Sequence, residues 1–456
     1  MSSSDPIATD VVIVGAGPTG LTLAVDLARR GIGVRIIDGA DSHFVGSRGK
    51  GLQERSLEVL ADLGVADQLR AAGWALPTRV SVAGGSVRES PPGAVLLLPQ
   101  SIVEATLRAR LAGLGATVEL ATALTGFEQF PDRVVATTSR GHVTARYLVG
   151  CDGGHSTVRR TLGVAFDGDS STRNAMVLGD VEIAGLAPDH IYTWIDPKRG
   201  MLALTPFRTV SQWQFQAAAG DVGRPSLAEF RRQLDLFTGL REVTLSNPTW
   251  LSTYRVSARM TREYRFGRVF LAGDAAHVHP PAGGLGMNTG IQDAYNLGWK
   301  LARTLAGTAS PQLLDTYQQE RVPIAEWTLA TSSDGLEQVW TAVTSGSDAI
   351  VAAVAKPEHR QLGLGYRGGP LAHNRTTWDG PQAGDRAPWL RAIGGGGFTV
   401  LGFGAAADAL PGLRDAATRP MPGEQDVLVL IRPDGYIGMV AGAAEVQPVQ
   451  DYIDNP

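Results

Sequence analysis

The reading of one stretch, Val11-Val12-Ile13-Val14-Gly15-Ala16-Gly17-Pro18-Thr19-Gly20, decides the fold. Four consecutive apolar residues read as a buried strand, and the glycine turn opens onto Leu21, Ala24, Val25 and Ala28 at helical spacing. Gly31 to Gly33 closes that helix, Val34 to Ile37 reads as a second parallel strand, and Asp38 ends it. The glycines of this βαβ unit have separate jobs. Gly15 permits the tight turn, Gly17 lets backbone approach a pyrophosphate, and Gly20 lets the helix pack close to the strand. The helix start offers free N–H groups and the positive end of a dipole, while Asp38 stands where a carboxylate holds an adenosine ribose diol. A glycine turn alone often serves packing only. Here strand, helix period and terminal acid accompany it, which favours dinucleotide binding.

Working outward, the chain has 456 residues, enough for two or three domains and a substantial core. Its 41 Lys+Arg against 45 Asp+Glu leave a formal charge of −4, which argues against a basic face for nucleic acid or an anionic membrane. Glycine is the outlier, with 56 residues. The single cysteine, Cys151, rules out an intrachain disulfide and a thiolate metal cluster, so a reducing cytoplasm is the economical expectation. The N-terminus lacks a basic leader and apolar runs such as 94–98 are strand-sized, so no membrane association is expected.

Two further strand–turn–helix motifs follow. Arg268-Val-Phe-Leu-Ala-Gly273-Asp274 puts a carboxylate at the carboxyl edge of the sheet, where it reaches sugar hydroxyls or merely caps a turn. Pro280-Pro281-Ala-Gly283-Gly284-Leu285-Gly286-Met287-Asn288 then leads into a strong helix reaching Leu305. Bare backbone aimed by a helix start suits a flat group that gains negative charge, such as a reduced flavin. In Leu148-Val-Gly150-Cys151-Asp152-Gly153-Gly154, Asp152 and Gly153 either shape a pyrophosphate neighbourhood or form a tight turn before a surface-basic helix carrying Arg159 and Arg160. His277-x-His279 has no third ligand at recognisable spacing, so hydrogen-bonded roles outrank a metal. Between 172 and 262 apolar and polar residues alternate as in antiparallel sheet, and Trp194, Phe207, Trp213 and Phe215 on those strands are either substrate-pocket lining or ordinary sheet core. Helices are expected at Glu54 to Leu63 and Ser101 to Leu114, a boundary near 340–385, and a hairpin across Arg432-Pro-Asp-Gly435.

These motifs in this order, with Ser47-Arg48, LQERSLEVL and Leu98-Pro99-Gln100-Ser-x-x-Glu104-x-x-Leu107, resemble the FAD-dependent aromatic hydroxylases, the class A flavoprotein monooxygenases. Gly384-Asp385-Arg386-Ala387-Pro388 and RPDGYI are similar to the phenol, polyketide and rifampicin hydroxylase branch. The resemblance implies an α/β chain with a Rossmann-like FAD-binding domain (1–77, 100–171 and 263–375) and an inserted antiparallel-sheet substrate domain (78–99 and 172–262). It also implies a short thioredoxin-like C-terminal domain (380–456) that lacks cysteine, structural or dimer-forming. The stretch between Trp74 and Pro99 is short for this branch. By the same resemblance Asp38 holds adenosine ribose, Arg48 and Gln100 serve the phosphate and ribityl region, and Asp274 the ribityl chain. The turn residues Gly15, Gly17, Pro18, Thr19 and Gly20 line FAD, as do Asp152, Gly153, Pro281 and the backbone of Gly284, Leu285, Gly286, Met287 and Asn288. NADPH or NADH docks transiently near Asp152-Gly153, and a flavin C4a-hydroperoxide made from O2 hydroxylates a bulky phenolic or polycyclic aromatic. Baeyer–Villiger insertion and a non-catalytic flavin-binding subunit are the alternatives. Tyr192, Tyr254 and Arg255 are candidates to deprotonate the substrate.

Overall fold

The structure is a computed structural model describing residues 7–82, 87–219, 224–345, 356–387 and 396–456. Its first sheet is built on parallel strands. Val34–Ile37 and Gly141–Gly150 flank Thr9–Val14, and Val269–Leu271 lies beyond Gly141–Gly150. Val14 pairs level with Ile37 and Gly150, and Gly150 with Leu271, so the three motif-bearing strands end at one edge. Ligands of open α/β sheets bind at that edge. Val11, Val12 and Ile13 are fully buried, as a strand covered on both faces requires.

Helix Pro18–Arg29 returns over the sheet and packs on helix Gly286–Leu305. At their crossing a Cβ on Gly298 would lie 2.3 Å from the Asp26 carboxylate, so only glycine allows this approach. Helix Gly286–Leu305 begins two residues before the expected Asn288 and is buried along nearly its whole length. Helices Glu54–Asp62 and Gln100–Gly113 match the sequence expectation within a residue. Helix Asp315–Thr344 runs into the region read as a boundary, and 346–355 lies outside the described residues.

The second sheet has eight strands. Thr244–Met260, Asp167–Ala184, Gln212–Ala219, Gly200–Pro206 and Ile191–Asp196 are antiparallel neighbours, and Thr78–Val82 with Val87–Ser90 extends the edge. Helix Leu227–Thr238 covers one face, laying Phe230 and Leu234 on Val177, Val181, Leu202 and Leu204. At its far end the other face packs Val80 and Ile195 against Val339, Ala342 and Val343 of the long helix.

A third, five-stranded mixed sheet, His373–Asn374, Ile437–Gly442, Val427–Ile431, Phe398–Phe403 and Ala416–Met421 in spatial order, forms the C-terminal unit with helix Val446–Asp454. The expected hairpin is present, with Gly435 at φ 81° in its turn. Trp299 of the Gly286–Leu305 helix inserts into this unit's core. Pro388, Gly394 and Gly395 lie outside the described residues.

Candidate active site at the strand ends

The glycines of the first turn divide by what surrounds them. A Cβ on Gly15 would sit 2.4 Å from the Cys151 carbonyl oxygen, and one on Gly20 would sit 2.0 Å from that of Gly15, so both exist for chain packing. Gly17 has nothing within 4 Å of such a Cβ. It faces open space at the start of helix Pro18–Arg29, whose first turn has no side-chain cap. That combination fits an anionic group approaching backbone N–H donors. Asp38 accepts from the Ala16 and Ala40 amides at 2.8 and 2.9 Å, which fixes its half-buried carboxylate beside the turn. Thr19 fills the space that Gly273 and Gly290 leave, since its Oγ1 lies 2.5 and 2.4 Å from the Cβ positions they lack. The first turn, the Gly-Asp turn and the long buried helix are thereby interlocked.

Asp274 is open to solvent yet ringed by protein: burial raises its carboxyl pKa, while His277 and Arg48 pull the other way. A carboxylate in that setting sits in a concavity. Arg48 is exposed, rests 4.3 Å above the Phe44 ring, and also acts electrostatically on Glu104. Gln100 accepts from the Gly49 amide at 3.1 Å and donates to Glu104 at 2.8 Å. A Cβ on Gly49 would lie 3.2 Å from both Gln100 Oε1 and Met287 Sδ, so the loop behind Arg48 brings these two together. Pro281 precedes the turn Ala282–Gly284, where Gly284 (φ 62°) again faces open space, and Leu285 starts helix Gly286–Leu305 without a side-chain cap. Asn288 spends its amide on structure: Oδ1 accepts from the Gln53 N–H at 2.8 Å, and Nδ2 donates to the Gly51 and Gly284 carbonyls. An elongated anionic cofactor with a flat end fits these features: two open glycines, two helix starts without a side-chain cap, and an acid with no ion pair among the described residues.

The third motif is more structural. Asp152 accepts from Ser156 Oγ at 2.5 Å and from the amides of Thr157 and Val158, capping helix Thr157–Thr161. Gly153 (φ 77°) remains open. Arg159 corrects the surface-helix expectation: it is buried, donates to the Ala275 and Gly154 carbonyls at 2.8 and 2.7 Å, and covers the Phe166 ring at 3.7 Å. Only Arg160 is exposed. Cys151 is buried and its thiol is pushed well up by desolvation, then by the Asp152 and Asp293 charges, so it is no thiolate.

Beneath the loop, His277 and His279 share a 2.8 Å ring hydrogen bond, and His277 Nε2 meets Asp293 at 2.6 Å. Asp293 also accepts from Arg321 at 2.7 Å and from the Gly273 amide at 3.1 Å. Burial alone would raise this carboxyl, but His277 and Arg321 outweigh it and hold it at about 2. Asp293 and Arg321 went unseen in the sequence because their partners are far off in the chain.

Strand alternation corrects the aromatic candidates. Trp194, Trp213 and Phe215 all turn toward helix Leu227–Thr238, where Phe215 stacks on Phe230 with centroids 4.3 Å apart. They are sheet core, and Phe207 is buried just past the end of its strand. The opposite face of the same strands carries Gln214, whose amide donates to Ser47, and Gln216, which meets Lys50. Of the proton-transfer candidates, Tyr192 donates to Ala187 and Asp189, and Tyr254 donates to the His279 carbonyl at 2.9 Å. Burial and then the Asp274 charge lift the Tyr254 hydroxyl to about 12, so it keeps its proton. The Arg255 side chain lies outside what the structure describes.

Residues 8–332 match the family described as FAD binding domain. The chain is 40% identical to a flavin-dependent monooxygenase of Mycobacteroides abscessus, covering 94% of this chain and 96% of the relative. It is 39% identical to a rifampicin monooxygenase of Streptomyces venezuelae over 69% of this chain and 68% of the other. Among solved structures, aklavinone-11 hydroxylase in complex with FAD and aklavinone superposes with a TM-score of 0.83 at 25% identity, covering 99% of both chains. Agreement of this length, on a fold whose strand ends are built as described, identifies the chain as an enzyme belonging to the FAD-dependent aromatic hydroxylases.

Proposed function

We propose that this enzyme hydroxylates a bulky phenolic or polycyclic aromatic compound of the polyketide or antibiotic type, using O2 and electrons from NADPH or NADH. The observation that carries the proposal is the placement of the second sheet. Its face opposite helix Leu227–Thr238 runs from a polar row, Asp180–Gln214–Thr205, to an apolar one, Met176–Ala218–Met201, joined by Leu336 and Trp340. A flat apolar compound with oxygens at one end suits that gradient. The names of relatives that act on rifampicin and aklavinone support the same substrate class.

FAD, when bound, supplies electron storage and oxygen activation. The chain's own residues bind and orient. Asp38 would hold the adenosine ribose, and the N–H groups following Gly17 would take the pyrophosphate. Arg48 and Gln100 would flank the ribityl and phosphate region, Asp274 would accept from ribityl hydroxyls, and the backbone of Gly284 to Asn288 would lie along the ring. Asp152 and Gly153 would border the pyrophosphate from the third turn. The apolar end of the sheet would exclude water, which protects a reactive oxygen species from wasteful loss.

The test is a flavin spectrum of the purified protein followed by NADPH consumption across phenols, anthraquinone-like polyketides and ansamycins, with labelled O2. Substrate-stimulated consumption and one labelled oxygen in the product support the proposal. A colourless protein that takes up no FAD overturns it. The NMR structure of the product separates ring hydroxylation from Baeyer–Villiger insertion, because both add one oxygen. Tight FAD binding with no NADPH-driven reduction would mark a non-catalytic subunit.

A further inference from the structure

Lys50 occupies an unusual position. It lies in the loop between Arg48 and strand Gly51–Leu52, next to Gly49, which touches both Gln100 and Met287. Its side chain crosses to the face of the second sheet opposite helix Leu227–Thr238, where Nζ donates to Thr205 Oγ1 at 3.2 Å and Gln216 Oε1 at 3.4 Å. Both acceptors are neutral, both bonds are long, and an ammonium has a third N–H to place. Among the described residues no carboxylate lies within ion-pair distance of it. Asp180, the acid that acts on it electrostatically, is turned to Ser47, whose hydroxyl donates to it and in turn accepts from Gln214. Lys50 is partly accessible yet surrounded by protein, and burial lowers it to about 8 against the pull of Asp180.

A buried ammonium without a counter-charge is costly, and an arriving anion relieves the cost. The surroundings say which kind of anion. Beyond Gln216 the same face continues through Leu178 and Ala203, its register neighbours, to Met176, Ala218 and Met201. Trp340 adds a buried indole N–H that has no partner. Among the described residues the face therefore offers one cation, at the polar end of an apolar floor. A phosphate or a carboxylate would bring its further oxygen atoms against apolar surface. A single ionised oxygen on a flat ring system would not.

We propose that the Lys50 ammonium binds an ionised oxygen of the substrate, a phenolate or an enolate, and so selects ring systems that carry an acidic hydroxyl at one end. The proposal rests on the hydroxylase reading above. It gives Lys50 two effects: tighter binding of the anionic form, and an electron-rich ring positioned for attack by an electrophilic oxygen. Thr205 and Gln216 hold the ammonium in place in the interim.

The test uses FAD-loaded protein at neutral pH with two probes, alizarin, which carries an ionised hydroxyl there, and its dimethyl ether, which cannot ionise. Wild type should bind alizarin roughly tenfold or more tighter than the ether, the range of a charge-assisted hydrogen bond. In Lys50→Met that ratio should fall to about one through loss of alizarin affinity alone, and Lys50→Arg should restore most of it. Should Lys50→Met fail to take up FAD, Lys50→Gln, which can still bond Thr205 and Gln216, carries the same comparison. A neutral variant that keeps the wild-type ratio, or a wild type with no preference between the probes, overturns the inference. Wild-type protein that takes up no FAD overturns the hydroxylase reading instead, so the two failures are distinguishable.

Discussion

Two charged regions meet at helix Gly286–Leu305, and they are built on opposite rules. On the side facing the C-terminal unit lies a closed ionic seam. Glu320 accepts from Lys300 at 2.7 Å, from Asn296 at 2.8 Å and from both ends of the Arg432 guanidinium, and Asp434 pairs with Arg432 and takes the Trp299 indole N–H at 3.1 Å. Arg321 bridges Asp293 to the Tyr366 hydroxyl, at 2.7 and 3.0 Å. On the other side, at the strand ends, Asp274, Arg48 and Lys50 carry charge with no ion partner within reach among the described residues. Since unpaired charge in a concavity costs free energy, a fold keeps it only where something else completes it. Completeness of pairing therefore separates scaffold from site in this molecule, more sharply than burial or residue type does.

The most damaging way to break that contrast is to open the seam. Glu320→Ala leaves Arg432 and Lys300 buried without their shared carboxylate and should cost about 3–5 kcal/mol in urea unfolding. A cost below about 1 kcal/mol would mean the seam is not scaffold. Next is Asp180, which sits at the border of the two regimes. Burial lifts its carboxyl from 3.8 to about 6, against hydrogen bonds from Ser47 and the charge of Lys50. The folded state thus holds this proton more tightly than the unfolded chain. The penalty is absent below about 3.8 and grows as pH rises to about 6. Asp180→Asn removes the slope, so its stability relative to wild type should climb across that window by on the order of 3 kcal/mol at most. A difference that falls as pH rises would instead place Asp180 with the paired acids, such as Asp293, whose carboxyls are held low.

Much of the cleft was legible from Val11 to Asp38 and from Arg268 to Leu305, because strand, turn and helix there are contiguous and each glycine's role follows from local geometry. The seam was not. Arg159 looked like a solvated helix residue because its acceptor, the Ala275 carbonyl, lies 116 positions away. Asp293 and Arg321 meet only when two helices pack, and Arg432 reaches Glu320 only when the C-terminal unit docks on them. The run Ser211-Gln-Trp-Gln-Phe-Gln-Ala217 displays a two-residue period, so two faces can be read, but not which one helix Leu227–Thr238 covers. The aromatics lie under the helix, and Gln214 and Gln216 lie on the opposite face against Ser47 and Lys50.

A third test sharpens the contrast within one turn. Gly17 has φ −74°, which any residue adopts, and a Cβ there meets no protein atom within 4 Å. Gly17→Ala should leave the apoprotein as stable as wild type while FAD affinity, measured by fluorescence titration, drops roughly tenfold or more, about 1.4 kcal/mol. Gly20→Ala meets the Gly15 carbonyl and should lose the fold itself.

Asp274→Asn is the smallest effect and the most exacting test. The variant keeps one carbonyl acceptor of the same shape, so it removes only the charge-assisted part of the bonds to ribityl hydroxyls. FAD affinity should fall severalfold, about 1 kcal/mol. The apoprotein should lose nothing, because wild type pays to keep this carboxylate desolvated and draws no ion pair from it. If apoprotein stability instead falls by more than about 1 kcal/mol in urea, Asp274 behaves like the carboxylates of the seam. Pairing would then no longer mark the boundary between what holds the fold and what waits for a ligand.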